Sequence, residues 1–375
     1  MQNKHLISKI RQEIKTAGGK IDFARFMDLA LYAPELGYYT TQARKFGREG
    51  DFVTAPEISP LFAKCFAKQF QKIFTMLSEK NILEFGAGSG IFAKDLLLEL
   101  EQLNSLPEHY FILEVSAELR DQQLQRFKTE CPQFLSRITW LDFLSIENFT
   151  GIIFANEVLD AMPVHRFERH DNQITECCVA WKNNQFVWEN HLPSITLKKR
   201  VETLLQECAL PESYRSEISL VQDSWIKSIA NVLQQGVVFL IDYGYGRSEY
   251  YHPERNDGTL MCFYQHHRHS DPFQFIGLQD ITAHVDFTYI AESAEKAGLN
   301  VAGFTSQGGF LLENDLLDLS LQSSLNEIEK YKNNQAIKTL TLPSEMGEII
   351  KVMALTKNIS GDLQGFALQD RRRNL

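Results

Sequence analysis

The stretch ILEFGAGSG, residues 82–90, decides the fold. A short apolar run carries an acid at Glu84 and ends at Phe85. Gly86, Gly88 and Gly90 then follow at alternate positions, with Ala87 and Ser89 between them. Glycine reaches positive φ without steric cost and lets a ligand approach the backbone closely. The next residues, IFAKDLLLEL, have the apolar spacing of a helix. Strand, glycine loop and helix in that order form the context of a nucleotide-type binding turn. A dinucleotide turn reads G-x-G-x-x-G, but here the pattern is G-x-G-x-G and Ile91 follows. A phosphate loop places Lys and then Ser or Thr after its last glycine, where this chain has Ile91 and Phe92. Both phosphate readings weaken, which leaves a loop packed against a ligand that needs no phosphate site.

Outward from this loop, strands and helices alternate. NILEF, YFILEV, RITWL, GIIFA and GVVFLIDYG read as strands, and LNVAGFTSQ and EIIKVMALT follow later. GIFAKDLLLEL, SAELRDQQLQRF, SWIKSIANVLQQ and YIAESAEKAG read as helices between them. Such alternation predicts an α/β fold with a mostly parallel sheet covered by helices. A helix and two strands after five βα units match a seven-stranded sheet whose final strand inserts antiparallel.

Before the loop, residues 4–16 and IDFARFMDLALY read as amphipathic helices, with Asp22 placed to cap the second. The irregular segment 37–59 ends at Thr54-Ala55-Pro56-Glu57, a capping box, or at Ser59-Pro60, a cap with proline at the first helical position. Between Pro163 and about Ser219 the alternation breaks, and QITECCVAWKNNQFVWEN reads as a hairpin around Asn183-Asn184. The expected layout is an N-terminal helical region with a capping loop at 1–78 and a core at 79–163 and 220–358. A smaller inserted region at 164–219 and a tail at 359–375 complete it.

Composition narrows the function. The chain has 375 residues and a formal charge of −10, which argues against a general nucleic-acid binder. An acidic surface favours a cationic protein or peptide partner. The six cysteines form no C-x-x-C pair, and Cys177 and Cys178 are adjacent, so reduced thiols are expected. No apolar run approaches the ~20 residues of a membrane span, so no membrane insertion is expected. The N-terminus lacks the apolar core of a secretory leader.

The pattern E-x-G-x-G-x-G resembles the first motif of class I methyltransferases that bind S-adenosylmethionine. Its implied fold is Rossmann-like. Two further acids end the next strands. Glu114 is placed to accept both ribose hydroxyls, and Asp142 to contact the adenine amino group. The expected cofactor set is Thr54, Glu84, Gly86, Ala87, Gly88, Gly90, Glu114, Val115, Asp142, Phe143 and Asn156, with Glu84 directed at the cofactor's ammonium. On the acceptor side, Asn156 and Glu157 emerge at the carboxyl edge of the fourth strand, where open α/β sheets bind ligands. Asp160 lies three residues on, so a helical turn would bring Glu157 and Asp160 to one side, where two carboxylates grip a guanidinium. The Asn/Asp-Pro-Pro-aromatic motif of nucleic-acid amino methylation is absent. In the 37–59 loop, Gly50 and Asp51 give a tight approach, and Tyr38, Tyr39 and Phe52 are placed to exclude water. QHHRHS lacks nearby cysteines or carboxylates at ligand spacing, so no metal is expected there, and His266 is assigned to the acceptor pocket.

Longer motifs carry a narrower resemblance. LYAPELGYYT, GREGDFVTAPEIS, ILEVSAELRDQQ, ANEVLDAMPVHRF, DYGYG, GTLMCFYQHH, DITAHVDF and TSQGGFLL together resemble the MidA family of class I methyltransferases. The likeness spans residues 21 to 312. Phe263 departs from it, standing where the family usually has tyrosine. The resemblance implies protein arginine methylation. Its mitochondrial members assist assembly of respiratory complex I, so the implied substrate is a complex I subunit or a bacterial counterpart. The implied location is the cytoplasm in a bacterium or the mitochondrial matrix in a eukaryote. Two alternatives stay open at this stage. One is a methyltransferase acting on a small molecule or another residue type. The other is an S-adenosylmethionine-binding assembly factor with little turnover.

Overall fold

The computed structural model describes residues 3–41, 53–321 and 326–375. Residues 42–52, and with them Gly50, Asp51 and Phe52 of the expected closing loop, lie outside the described residues. Two compact units form. One comprises Met1–Phe52, Leu159–Ser224 and Gly246–Asp286, the other Val53–Val158, Trp225–Tyr245 and Phe287–Leu375.

The second unit holds the main sheet. Its strands are β1 (Asn81–Phe85), β2 (His109–Leu113), β3 (Ile138–Leu141), β4 (Phe149–Asn156), β5 (Leu233–Tyr245), β6 (Asn300–Ser306) and β7 (Ile350–Lys357). Across the sheet they run β3-β2-β1-β4-β5-β7-β6. The first five run parallel to one another. The last in sequence, β7, lies antiparallel between β5 and β6. This is the topology expected of a class I methyltransferase. Strands β1, β4 and β5 are near-continuous apolar runs because layers on both faces remove them from water.

The helix Pro60–Phe74 shows how sequence becomes packing here. Ser59 accepts a hydrogen bond from the Leu61 amide at 3.2 Å and Pro60 occupies the first turn, so the second of the two caps read from sequence is the one that starts this helix. Phe62, Phe66 and Phe70 recur at helical spacing and are fully buried. Phe66 meets Phe154 of β4 edge-on at 5.1 Å and Phe239 of β5 at 5.8 Å. Each such ring contributes on the order of 1.5–3 kcal/mol through burial.

The first unit is built on an antiparallel sheet. Strand Gln173–Lys182 pairs with Gln185–His191 through a turn whose Asn183 and Asn184 both have positive φ, as the hairpin reading expects. It also pairs with Lys20–Asp22 and with His165–His170, and Tyr214–Ile218 lies beyond the latter. Helix Phe23–Tyr32 starts at Asp22, whose side chain accepts from the Arg25 amide at 2.7 Å. Tyr38 is a core residue of this unit rather than a shield over a ligand.

The stretch 246–286 contains a short helix at Arg247–Tyr250 and strands Met261–Tyr264, His267–His269 and Asp280–Thr282. Among the described residues no helix is long and apolar enough to cross a membrane.

Candidate active site

The glycine loop joins β1 to helix Ile91–Gln102. Gly86, Gly88 and Gly90 have φ of 63°, 54° and 76°, values that side-chain-bearing residues rarely adopt. The Gly86 amide donates to the Leu113 carbonyl at 2.9 Å, and the Gly90 amide to that of Ala87 at 2.8 Å. A Cβ on Gly90 would stand 3.1 Å from the Gln123 side chain. The loop's shape therefore depends on glycine both for its backbone angles and for the space beside it.

Glu84 lies under this loop. It is 3 % exposed and accepts a hydrogen bond from the Tyr110 hydroxyl at 2.7 Å. Burial pushes its carboxyl up to about 8, the Tyr110 bond partly opposes the rise, and the Glu114 charge adds to it. Removing a carboxylate from water disfavours its charged form. An ammonium brought close would reverse that balance.

At the end of β2, Glu114 is buried and accepts from the Ser116 amide at 3.0 Å and from Gln123 Nε2 at 3.3 Å. Val115 beside it is 61 % exposed, and Phe143, just past β3, is 70 % exposed. Exposed apolar side chains next to these acids suit the walls of an adenine slot. Asp142 is also exposed and pairs with Arg120 Nη1 at 2.6 Å, while Arg120 Nε donates to the Glu114 carbonyl at 2.7 Å. Arg120 thus ties the ends of β2 and β3 together.

Asn156 closes β4. Its Nδ2 donates to Glu157 Oε1 at 3.3 Å, and its buried Oδ1 has no hydrogen-bond partner among the described residues. The Glu157 amide donates to the Ile241 carbonyl of β5 at 2.8 Å, and Glu157 has φ of 52°. Residues 157–160 are not helical, so the expected helical turn over Glu157–Asp160 does not form, and residues 159–162 make a turn instead. Asp160 belongs to the other unit. It is 6 % exposed, and its carbonyl accepts from the Ala283 amide at 3.0 Å.

Two more expected residues are placed differently from the sequence reading. Thr54 precedes helix Ala55–Ile58, but its side chain makes no capping bond there. Its would-be box partner Glu57 instead accepts from the Ser89 hydroxyl inside the glycine loop. His266 stands at the exposed tip of the hairpin joining Met261–Tyr264 to His267–His269, with φ of 62°.

Two residues join the site that sequence reasoning missed. Gln123, fully buried, donates to the Gly88 carbonyl at 2.9 Å and accepts from the Trp140 indole at 2.8 Å. It joins the glycine loop, Glu114 and β3 at one point. The signal was a polar residue within the buried Leu119, Gln123, Phe127 stripe. Asp242, fully buried, accepts from the Val158 amide at 3.1 Å and holds the segment after Glu157. Tyr39, read from sequence as excluding water, belongs to the other unit, where it donates to Asp280 Oδ1 at 2.9 Å and stacks on Tyr32 at 5.5 Å. Burial and the Asp280 charge hold the Tyr39 hydroxyl well above its usual range, so it remains a proton donor.

With this geometry in view, comparison with known proteins is decisive. The signature of a family described as S-adenosyl-L-methionine-dependent methyltransferases matches residues 61–305. The chain belongs to that family. A crystal structure from Burkholderia thailandensis with S-adenosyl-homocysteine bound is similar across 100 % of this chain and 97 % of that one, with 38 % identity and a TM-score of 0.95. A native structure from the same organism gives 37 % identity and a TM-score of 0.92 over the same shares of the two chains. Among curated proteins, the mitochondrial protein arginine methyltransferase NDUFAF7 homolog of Drosophila melanogaster is 28 % identical over 93 % of this chain and 84 % of its own. The human protein arginine methyltransferase NDUFAF7 is 25 % identical over 94 % and 82 %. S-adenosylmethionine is therefore the cofactor of this methyltransferase. The cradle fits it: positive-φ glycines give close backbone approach, buried acids end β1 and β2, and no phosphate-binding Lys-Ser/Thr follows the loop.

Proposed function

We propose that this methyltransferase modifies an arginine side chain of a protein, a respiratory complex I subunit or its bacterial counterpart. The observation that carries the reading is Glu157. The Asn156 side-chain amide donates to this carboxylate and the Ile241 carbonyl accepts from the Glu157 backbone amide, which holds the residue at the carboxyl edge of β4, beside the glycine-loop strand. The names of relatives aligned over nearly the whole chain support it. The proposed compartment follows them: mitochondrial matrix in a eukaryote, cytoplasm in a bacterium.

When bound, S-adenosylmethionine supplies a sulfonium methyl group open to in-line displacement. The chain's residues do the rest. Glu84 faces the cofactor's ammonium and Glu114 its ribose hydroxyls. Val115 and Phe143 flank the adenine, and Asp142 meets its amino group. Gly86, Ala87, Gly88 and Gly90 form the floor, and Thr54 and Asn156 border it. Glu157 pairs with the guanidinium and aims one nitrogen. A carboxylate paired with a guanidinium holds it in a fixed fork, so the rate gain comes from orientation.

The test is single-turnover methylation of arginine-containing targets by wild type and Glu157→Gln, with cofactor titration and melting alongside. Methyl transfer should fall ~10²-fold or more in the variant while cofactor affinity holds. Full activity in Glu157→Gln would remove this acid from the acceptor site. Tight cofactor binding with no methyl-arginine on any target, in wild type, would favour an assembly factor instead.

A further inference from the structure

Outside the methyl-transfer machinery, one cluster in the first unit has the composition of a metal centre. Strand Gln173–Lys182 carries two short strands on one edge. Lys20–Asp22 pairs with residues 178–180 and His165–His170 with residues 173–176. The end of the first and the start of the second therefore meet there. Asp22 lies opposite Cys178, and Phe167 opposite Glu176. Since side chains alternate across a strand, Asp22, His165 and Glu176 project from one face. One donor atom from each lies within 4.8 Å of the other two. His165 Nδ1 and Glu176 Oε1 are 2.6 Å apart, Glu176 is 5 % exposed, and the His165 side chain is 16 % exposed.

We propose that Asp22, His165 and Glu176 form a binding site for a divalent transition metal ion of the zinc class. One imidazole and two carboxylates form a mixed nitrogen and oxygen set, which suits zinc rather than magnesium or calcium. Ligand atoms around a tetrahedral zinc stand about 3.3 Å apart, given bonds of about 2.0–2.1 Å. The His165 and Glu176 donors are 2.6 Å apart and the Asp22 donor lies within 4.8 Å of both, so small side-chain rotations would bring all three to that spacing. Three protein ligands leave a fourth position for water. The role that follows is structural. Asp22 comes from the N-terminal segment and the other two residues from the inserted sheet, so an ion would link segments far apart in sequence. Binding energy of this kind adds to folding stability.

The experiment is zinc titration by calorimetry on the full chain after chelator treatment, with melting in the presence and absence of zinc. The expected result is one site of sub-micromolar affinity and a higher melting temperature. Glu176→Gln and His165→Gln should each weaken binding ~100-fold. Asp22→Asn is the cleaner variant, because asparagine caps a helix as well as aspartate and the helix at Phe23–Tyr32 keeps its start. It should weaken zinc at least ~10-fold with the melting temperature of the metal-free protein unchanged. The exposed histidines of QHHRHS are the competing site, so His266, His267 and His269 are replaced together by alanine as a control, which should leave the tight event intact. Three results would each overturn the proposal. They are no tight event in wild type, a tight event unaltered in Asp22→Asn and Glu176→Gln, and one that disappears with the loop histidines.

Discussion

Glu84 gives the most demanding prediction. Its carboxyl titrates at about 8 in the cofactor-free protein because it is buried beneath the glycine loop. At pH 7 about nine in ten molecules then carry the proton. A cofactor ammonium within about 4–6 Å favours the carboxylate by about one to three units. Binding at pH 7 should then release roughly 0.4 to 0.9 proton, and affinity should rise roughly two- to eightfold between pH 6 and 7. The cofactor's own amine, with a pKa near 8, stays charged over most of that window. The assay is calorimetry in two buffers of different ionisation enthalpy at pH 7.0. Glu84→Gln keeps the shape and an acceptor for Tyr110 but carries no titrating proton, so its binding enthalpy should be independent of buffer. Equal enthalpies in the two buffers for wild type, or a buffer dependence that survives in Glu84→Gln, would refute the reasoning. The stability side has a definite sign. The folded pKa is raised above the unfolded value, so Glu84 favours the folded state fully below about pH 4.5 and loses that contribution as pH rises through about 8. Without cofactor, wild type should therefore melt progressively below Glu84→Gln as pH rises from 5 to 8.

Three further outcomes follow from the same site. Gly88→Val forces a branched side chain into φ of 54°, and cofactor affinity by calorimetry should fall at least ~100-fold. Glu114→Ala removes the proposed acceptor for the ribose hydroxyls and should cost on the order of 2–3 kcal/mol of cofactor binding without creating NADH binding. Gln123→Leu keeps the bulk but deletes the bonds to Gly88 and Trp140. Urea unfolding should show a loss of about 1–3 kcal/mol, accompanied by weaker cofactor binding.

Local chemistry made much of this legible. The Asp22 cap, the Asn183-Asn184 hairpin and the glycine loop each depend on residues within a few positions of one another, and each forms as read. The sheet was legible because apolar strands covered on both faces leave continuous runs. Contacts distant in sequence were not. Gln123 earns its place through Gly88 and Trp140, which no short pattern connects to it. The turn after β4 was misread as helical because the spacing of Glu157 and Asp160 suits a helix. The bond from the Glu157 amide to Ile241 on a neighbouring strand overrides that spacing. The hairpin at 261–269 escaped notice because its turn is Gln265-His266, two residues with positive φ and no glycine or asparagine to mark them.

The placement of β7 bears on how the chain reaches its fold. Residues 350–357 follow every other strand in sequence, yet they occupy an interior position, and Gly236 of β5 pairs with Lys357. Until they arrive, β5 and β6 each present an unsatisfied row of amides and carbonyls, both flanked by apolar side chains. Such edges recruit other chains. Closing so long a loop is slow, which prolongs the exposure. A ribosome stalled shortly before residue 350, or a frameshift there, would release a chain with the whole glycine loop already made but with a slot one strand wide in its sheet. Aggregation would then remove the protein before loss of cofactor binding could be observed.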